Sequence, residues 1–268
     1  MAMRYLLTLF FFAILPLELW AREVDLELVL AVDVSRSMSP AELELQRRGY
    51  AKALGSAQVI EAINNGLLGR IALTYVEWAG VDSHRVIVPW TEISTPEQAQ
   101  QVVALIDAYY DDSLRRTSIS SALYYAADSF ETNGFEGLRR VIDISGDGPN
   151  NMGAPVQAAR DEVLSRRITI NGLPIMTRDT MSALWGIPDL DVYYARCVIG
   201  GAGSFVLPVF GWDDFPAAVK RKMVLEIAAL PQTAPPAEKV TKAQYKAPYD
   251  CLIGEKKWER NRGYWQIP

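Results

Sequence analysis

Short apolar runs alternate with amphipathic segments along most of this chain. The runs Leu28–Val32, Val141–Ile144 and Ile168–Ile175 have the length and composition of buried parallel strands. The segments between them repeat apolar residues every three or four positions, and the first begins at a helix-start signal, Ser39-Pro40. This alternation predicts an α/β fold of the doubly wound, Rossmann-like type: a mainly parallel sheet with helices on both faces.

Two further strand-like segments, Arg70–Ala79 and Arg85–Trp90, are separated by only a few residues. A connection this short suits an antiparallel hairpin, so we expect one antiparallel strand at an edge of the sheet. The segment Phe205–Phe210 is expected to be the last strand. A helix should follow it, because apolar residues then repeat every four positions at Phe215, Val219, Met223 and Ile227.

The first 21 residues differ in character from the rest. Arg4 precedes an apolar stretch from Tyr5 to Leu15, and a small residue, Ala21, stands at the boundary, which is typical of a secretory signal peptide. An uncleaved anchor is the alternative, but the stretch is shorter than the roughly 20 residues that a spanning helix needs, and Pro16 follows it. We therefore expect cleavage near Ala21, no membrane span afterwards, and a periplasmic or secreted protein.

Residues 22–230 are enough for one domain with a large core. From residue 231 onward prolines and lysines become frequent, which predicts an extension over the surface, residues 231–268. We expect this extension to dock on the domain, because a free solvated tail is normally poor in the aromatic residues that occur here: Tyr245, Tyr249, Trp258, Tyr264 and Trp265.

Composition narrows the possible functions. A net charge of −5 without a basic stripe argues against a nucleic-acid partner, and the single histidine, His84, argues against a histidine-based zinc enzyme. The two cysteines, Cys197 and Cys251, either form a disulfide in an oxidising compartment or remain two separate thiols; the sequence leaves both open.

Residues with oxygen-bearing side chains occur at the ends of three of the predicted segments. Asp33, Ser35 and Ser37 follow the first strand, Thr117 precedes a helical segment, and Asp147 follows the strand that begins at Val141. Asp-x-Ser-x-Ser alone also occurs in ordinary turns and N-caps. The ordered set of three segments is more specific, and its oxygen ligands suit a hard divalent cation such as Mg²⁺, Mn²⁺ or Ca²⁺.

This set of residues resembles the metal-ion-dependent adhesion site of von Willebrand factor A (vWA) domains. The resemblance implies that Ser35 and Ser37 coordinate the metal directly, that Thr117 does so directly or through water, and that Asp33 and Asp147 act mostly through water. It also implies that a partner's carboxylate fills the last coordination position. The segment after the serine motif lacks the acid pair of some A domains, which predicts a single cation.

The segment from Glu23 to Gly203 also resembles an uncharacterised bacterial branch of this superfamily, DUF1194. Val32-Asp-Val-Ser-Arg-Ser37, Ser145-Gly-Asp-Gly-Pro-Asn-Asn151 and Ile170-Asn-Gly-Leu-Pro174 carry this closer likeness. Arg116 stands where many A domains have glycine. The resemblance implies the fold and the site, and it names no activity.

We therefore expect a protein-binding module that captures an acidic side chain of another protein through one divalent cation, with no catalytic residues. One alternative is a Mg²⁺-dependent phosphatase of the haloacid dehalogenase type, because Gly146-Asp-Gly-Pro-Asn-Asn151 resembles a segment of that family and Asp33 would be its nucleophile. That alternative lacks a lysine between Lys52 and Lys220 to hold a phosphate. Another alternative is a structural domain with a vestigial metal site.

Overall fold

The structure is a computed structural model that describes residues 21–108, 114–177, 186–228 and 249–262. The predicted signal peptide and most of the predicted extension, including Tyr264 and Trp265, lie outside these ranges. Within them, no helix has the length and apolarity needed to span a membrane.

The elements follow one another in the alternating order that the sequence pattern predicts. The strands are β1 (Arg22–Val24), β2 (Leu26–Asp33), β3 (Ile71–Trp78), β4 (His84–Ile93), β5 (Phe135–Gly137), β6 (Arg140–Gly146) and β7 (Ile168–Pro174). The helices are α1 (Pro40–Leu54), α2 (Ala57–Asn64), α3 (Pro96–Ala108), α4 (Ile119–Ser129), α5 (Val156–Ser165), α6 (Leu190–Tyr193) with a π-helical turn (Tyr194–Val198), α7 (Phe215–Ala228) and α8 (Ile253–Arg262).

The main sheet has the order β4-β3-β2-β6-β7, and only β4, at one edge, is antiparallel to its neighbour. The fold class is therefore confirmed. β1 and β5 form a separate parallel pair that the sequence analysis did not predict.

Both faces of the sheet are covered. In β2, Leu28, Leu30 and Val32 pack with α1, α2, α3 and α7, whereas Val29 and Ala31 pack with α4, α5 and the segment 190–198. This burial explains why β2 reads as a continuous apolar run rather than an alternating one. All four apolar residues predicted to repeat along α7 are buried.

The segment Phe205–Phe210 was predicted to be a strand, and this was wrong in part. It runs beside β7 and makes two isolated parallel bridges, Gly172 with Val206 and Ile175 with Val209, but no continuous strand. The amides of Leu207 and Val209 still donate to the carbonyls of Gly172 and Pro174, each over 3.0 Å, so the pairing with β7 is strand-like on both sides of Pro208.

Candidate metal site

The first part of the site is the loop that leaves β2. The Ser35 amide donates to Asp33 Oδ1 over 2.7 Å, which curls the chain so that both residues stay at the end of the strand. Gln46, on the buried side of α1, donates its side-chain amide to the Asp33 carbonyl over 2.8 Å. The loop is thus fixed by its own carboxylate and by the following helix.

A chain of hydroxyl hydrogen bonds joins this loop to the end of β6. Ser37 Oγ donates to Asp147 Oδ1 over 2.7 Å, and the Ser35 and Ser37 hydroxyl oxygens are 2.9 Å apart. Because Ser37 uses its only hydroxyl hydrogen on Asp147, Ser35 is the donor between the two serines. β2 and β6 are parallel neighbours, so their carboxyl ends bring these side chains together.

The backbone places Thr117 next to this cluster. The Leu114 amide donates to the Val34 carbonyl over 3.0 Å, which pairs the Thr117 loop with the serine loop. On the other side, the Thr117 amide donates to Asn151 Oδ1 over 3.2 Å, and the Asn151 amide donates to the Thr117 carbonyl over 3.0 Å. The geometry thus gathers all three predicted segments at one edge of the sheet.

The Asp33 carboxylate lies in an environment that disfavours its negative charge. Asp33 is fully buried, and its Oδ2 has no hydrogen-bond partner among the described residues. Burial, and then the nearby charge of Asp147, raise the pKa of Asp33 well above its ordinary value. An orphaned carboxylate oxygen beside a second acid and two hydroxyls is a set of donors that fits a divalent cation.

A small residue and a tyrosine complete the space around Asp33. A Cβ added to Gly146 would lie 2.8 Å from Asp33 Oδ2 and 2.9 Å from the Tyr194 hydroxyl, so only glycine fits. Tyr194 is buried in the π-helical turn, and burial followed by the charge of Asp33 raises the pKa of its hydroxyl, which stays protonated.

The site is built from hydroxyls more than from acids. No group of three or more His, Cys, Asp or Glu side chains that could hold a metal occurs in the described part of the chain. The candidate site has only two carboxylates, so any cation here depends on Ser35, Ser37 and Thr117 as ligands.

Asp143 also lies on β6, but it is not part of this site. It points to the face of the sheet that packs on α7, where its carboxylate is 2.7 Å from Lys222 Nζ. Lys222 also pairs with Glu226, and Asn171 donates to Glu226 Oε1 over 2.9 Å. Asp143, Lys222 and Glu226 are all buried and form an ionic cluster of their own.

Helix α8 packs on the loop that follows Asp147. A Cβ on Gly254 would lie 2.0 Å from the Asn150 carbonyl oxygen, so the helix and the loop are in direct contact. Asn150 Nδ2 donates to Glu255 over 2.7 Å, while Asn150 Oδ1 accepts from the Ser120 amide over 3.1 Å. Through Asn150, α8 is connected to the start of α4, just after Thr117.

A second contact joins α8 to the Thr117 loop directly. The Arg116 guanidinium lies over the Trp258 ring, 4.3 Å from its centre. Arg116 has φ of 73°, in the left-handed region that glycine adopts most easily. This explains why glycine is common at this position in A domains, and it shows that Arg116 is held there at a backbone cost.

The two cysteines anchor the same helix. Cys197, within the π-helical turn, is bonded to Cys251, two residues before α8, with their Cα atoms 5.6 Å apart. Tyr249 donates to Asp189 over 2.9 Å and adds a contact on the same side. A cleft of about 510 Å³ lies between this anchored segment and the site, with Asp147 and Lys257 in its lining.

Several residues that position the site were missed in the sequence. Gln46 had a usable signal, because it is a polar residue on the face of α1 that carries Leu43 and Tyr50. Tyr194 and Glu255 had none, since each reaches the site from a distant segment through contacts that no local pattern encodes.

Solved structures with a similar fold include proteins from animals and bacteria. Proximal thread matrix protein 1 (PTMP1) from the mussel byssus has a TM-score of 0.56 and 14% sequence identity, covering 77% of this chain and 49% of PTMP1. A PTMP1 structure whose MIDAS motif is occupied by zinc matches with a TM-score of 0.52 and 15% identity over 77% of this chain and 48% of that one. The pilus adhesin SpaC from Lactobacillus rhamnosus GG has a TM-score of 0.55 and 12% identity over 76% of this chain and 30% of SpaC.

A von Willebrand factor type A protein from Catenulispora acidiphila matches with a TM-score of 0.50 and 14% identity, over 76% of this chain and 43% of that one. This chain therefore spans about half the length of PTMP1 and less than a third of SpaC. These likenesses show the vWA-like fold.

No curated protein sequence matches this chain. The family model described as "Protein of unknown function (DUF1194)" matches residues 23–231, the whole of the region that carries the sheet and the candidate site. The chain therefore belongs to the DUF1194 family and has a vWA-like fold.

Proposed function

We propose that this protein is an exported binding module that captures a carboxylate of another protein through a single divalent cation. Asp33, Ser35, Ser37, Thr117 and Asp147 would hold the cation. The observation that carries the proposal is the buried, unpartnered Asp33 Oδ2 beside the linked Ser35, Ser37 and Asp147 side chains. A cation would neutralise the repulsion between the two acids and satisfy the orphaned oxygen.

The donor set also favours an anionic ligand. Three of the five residues supply neutral hydroxyls, and the two carboxylates balance only the formal charge of the dication. Such a cation remains a good acceptor for one more negatively charged oxygen, which in a protein partner is a carboxylate. The vWA resemblance implies the same arrangement.

The related structures give the class of partner by analogy. Two of them are described as a matrix protein of byssus threads and a pilus adhesin, names that indicate assembly and attachment rather than catalysis. For this chain the analogy supports a macromolecular partner and leaves its identity open.

Export is supported by two observations that are independent of the fold. The disulfide between Cys197 and Cys251 requires an oxidising compartment in most organisms, and the first 21 residues have the pattern of a signal peptide. We propose a periplasmic or secreted location on these grounds.

Thermal unfolding with Mg²⁺, Mn²⁺ or Ca²⁺ tests the metal site. At about 100 times the dissociation constant, a cation that binds only the folded state stabilises it by roughly 2.7 kcal/mol, which raises the melting temperature by several degrees. Asp147→Asn should abolish this rise, while its metal-free melting temperature stays near that of the wild type because repulsion with Asp33 is relieved. Asp161→Asn, an exposed acid on α5, is the matched control and should keep the rise.

Calorimetric titration gives the stoichiometry, which should be close to one. Retention of a glutamate-containing peptide should require the metal and disappear with chelator. A wild-type protein whose melting temperature does not change with any of the three cations at millimolar concentration would contradict the proposal and favour the purely structural alternative.

A further inference from the structure

Three arginines stand on the two loops that carry the candidate metal ligands. Arg36 lies between Ser35 and Ser37, and Arg115 and Arg116 immediately precede Thr117. All three are exposed. Each arginine is therefore one or two residues from a side chain that would hold the cation. An arginine side chain is long enough to extend past such a ligand toward a bound partner.

The backbone holds the two loops against each other. The bridge between Ser35 and Leu114 places Arg36 and Arg115 on neighbouring segments. A Cβ on Gly80 would lie 2.9 Å from the Arg115 carbonyl oxygen, so the loop that carries Thr117 is also packed tightly against Gly80. The basic rim, which we define as Arg36, Arg115 and Arg116, is thus a fixed feature of this edge of the sheet.

The guanidinium of Arg116 is also oriented. The backbone of Arg116 keeps a left-handed conformation that glycine adopts most easily, and its guanidinium is stacked on Trp258 of α8. Stacking leaves the N–H edge of a guanidinium available to a carboxylate. Strained backbone that persists beside a candidate site indicates a role for the side chain that it presents.

Two of the three arginines of the basic rim form no ion pair within the part of the chain that the structure describes. Neither Arg36 nor Arg115 has an ion-pair partner among the described residues, whereas Arg47 and Arg85 are both paired with the buried Glu77. Once a dication balances Asp33 and Asp147, the three arginines exceed the other acids of these two sequence segments, Asp111 and Asp112, by one formal charge, on a chain whose net charge is −5. This local reversal of sign points to a negatively charged partner.

We infer that the partner presents an acidic segment with several carboxylates, one for the cation and the others for Arg36, Arg115 and Arg116. This inference rests on the proposed function and specifies its partner. Arginine binds carboxylates through paired N–H donors, so neighbouring acids of one segment add contacts that a single acid lacks. The overall negative charge of the chain disfavours a long polyanion such as a nucleic acid, which would extend beyond the rim.

Two blocked peptides test this inference on the full-length exported protein with Mg²⁺. One has a single glutamate among glycines, and the other has three glutamates. Exposed ion pairs are weak individually, so we expect the second peptide to bind about tenfold more tightly than the first, equivalent to about 1.4 kcal/mol. The advantage should shrink at about 0.5 M NaCl, where the Debye length is about 4 Å.

The double variant Arg36→Gln/Arg115→Gln should lose this advantage, and its affinity for Mg²⁺ should stay the same or rise, because two cations near the metal are removed. A merely structural role would weaken both kinds of binding. The control Lys52→Gln/Arg221→Gln removes the same charge from exposed positions on α1 and α7 and should keep the advantage.

The outcomes separate this inference from the proposed function. If neither peptide binds in a Mg²⁺-dependent way at millimolar concentration, the proposed function fails and the inference fails with it. If both bind with Mg²⁺ but equally well, or if the control loses the advantage as the rim variant does, only the inference is overturned. Binding of an oligothymidylate as tight as that of the acidic peptide would also overturn it.

Discussion

Removal of the disulfide should weaken metal binding as well as stability. The bond joins Cys197 to Cys251 and so anchors α8, whose contacts with Asn150 and Arg116 support the loop that carries Thr117. The double variant Cys197→Ser/Cys251→Ser leaves both side chains small and polar. It removes the covalent tether while keeping every residue of α8.

The magnitude follows from the length of the closed loop. The bonded cysteines are 54 residues apart, and the chain-entropy model then gives about 4 kcal/mol of stabilisation. For a protein of this size 1 kcal/mol corresponds to about 2–4 °C in melting temperature, so a loss of about 10 °C is expected. Loss of the Asn150 and Arg116 contacts should also lower the affinity for Mg²⁺ by about tenfold, close to the free energy of one hydrogen bond to a charged group.

Thermal unfolding with and without Mg²⁺ measures both effects in one assay, and non-reducing mass spectrometry confirms the state of the thiols. Gly254→Ala is a useful companion, because its Cβ would collide with the Asn150 carbonyl oxygen and displace α8 with the disulfide intact. It should reproduce the loss of Mg²⁺ affinity. A double cysteine variant that melts within 1 or 2 °C of the wild type would refute the entropic argument, and unchanged Mg²⁺ affinity in both variants would refute the coupling of α8 to the site.

Three further predictions concern the core on either side of the sheet. Gly146→Ala should abolish the Mg²⁺-dependent rise in melting temperature, because the new Cβ would lie 2.8 Å from Asp33 Oδ2. Lys222→Met should destabilise the fold by about 3–5 kcal/mol in urea unfolding, since it leaves Asp143 and Glu226 buried without their cation. Burial, and then the charge of Asp143, raise the pKa of Glu226 to about 7. The contribution of Glu226 to the free energy of unfolding is therefore greatest below pH 4.5 and falls as the pH rises to about 7. Glu226→Gln should flatten that fall when the free energy of unfolding is measured from pH 4.5 to 8.

The sheet and most of its helices could be predicted from the sequence because their signals are local. β2 and β6 read as short apolar runs, and α7 shows its buried face in a four-residue repeat. The positions of Asp33 and Asp147 at the ends of two such strands then bring the candidate ligands to one edge. Each of these steps depends only on the spacing of apolar residues and on the order of the strands and helices along the chain.

The remainder depends on contacts between distant segments. Phe205–Phe210 has the composition of a strand, and only its place beside β7 shows that its pairing is limited to isolated bridges. The aromatic residues near the C-terminus predicted docking, but not that Trp258 would meet Arg116. The partner of Asp143 could not be predicted either, because Lys222 follows it by almost 80 residues on a different element.

The direction of β2 has a consequence for how the protein would be displayed on a surface. β2 begins, directly after β1, at the end of the main sheet opposite to Asp33, and its eight residues separate the two ends by about 23 Å at roughly 3.3 Å per residue. Arg22 therefore lies at the pole of the domain opposite to the serine loop. A tether attached there would turn the serine loop outward, away from the attachment point, where a large partner could approach it without steric hindrance from the surface.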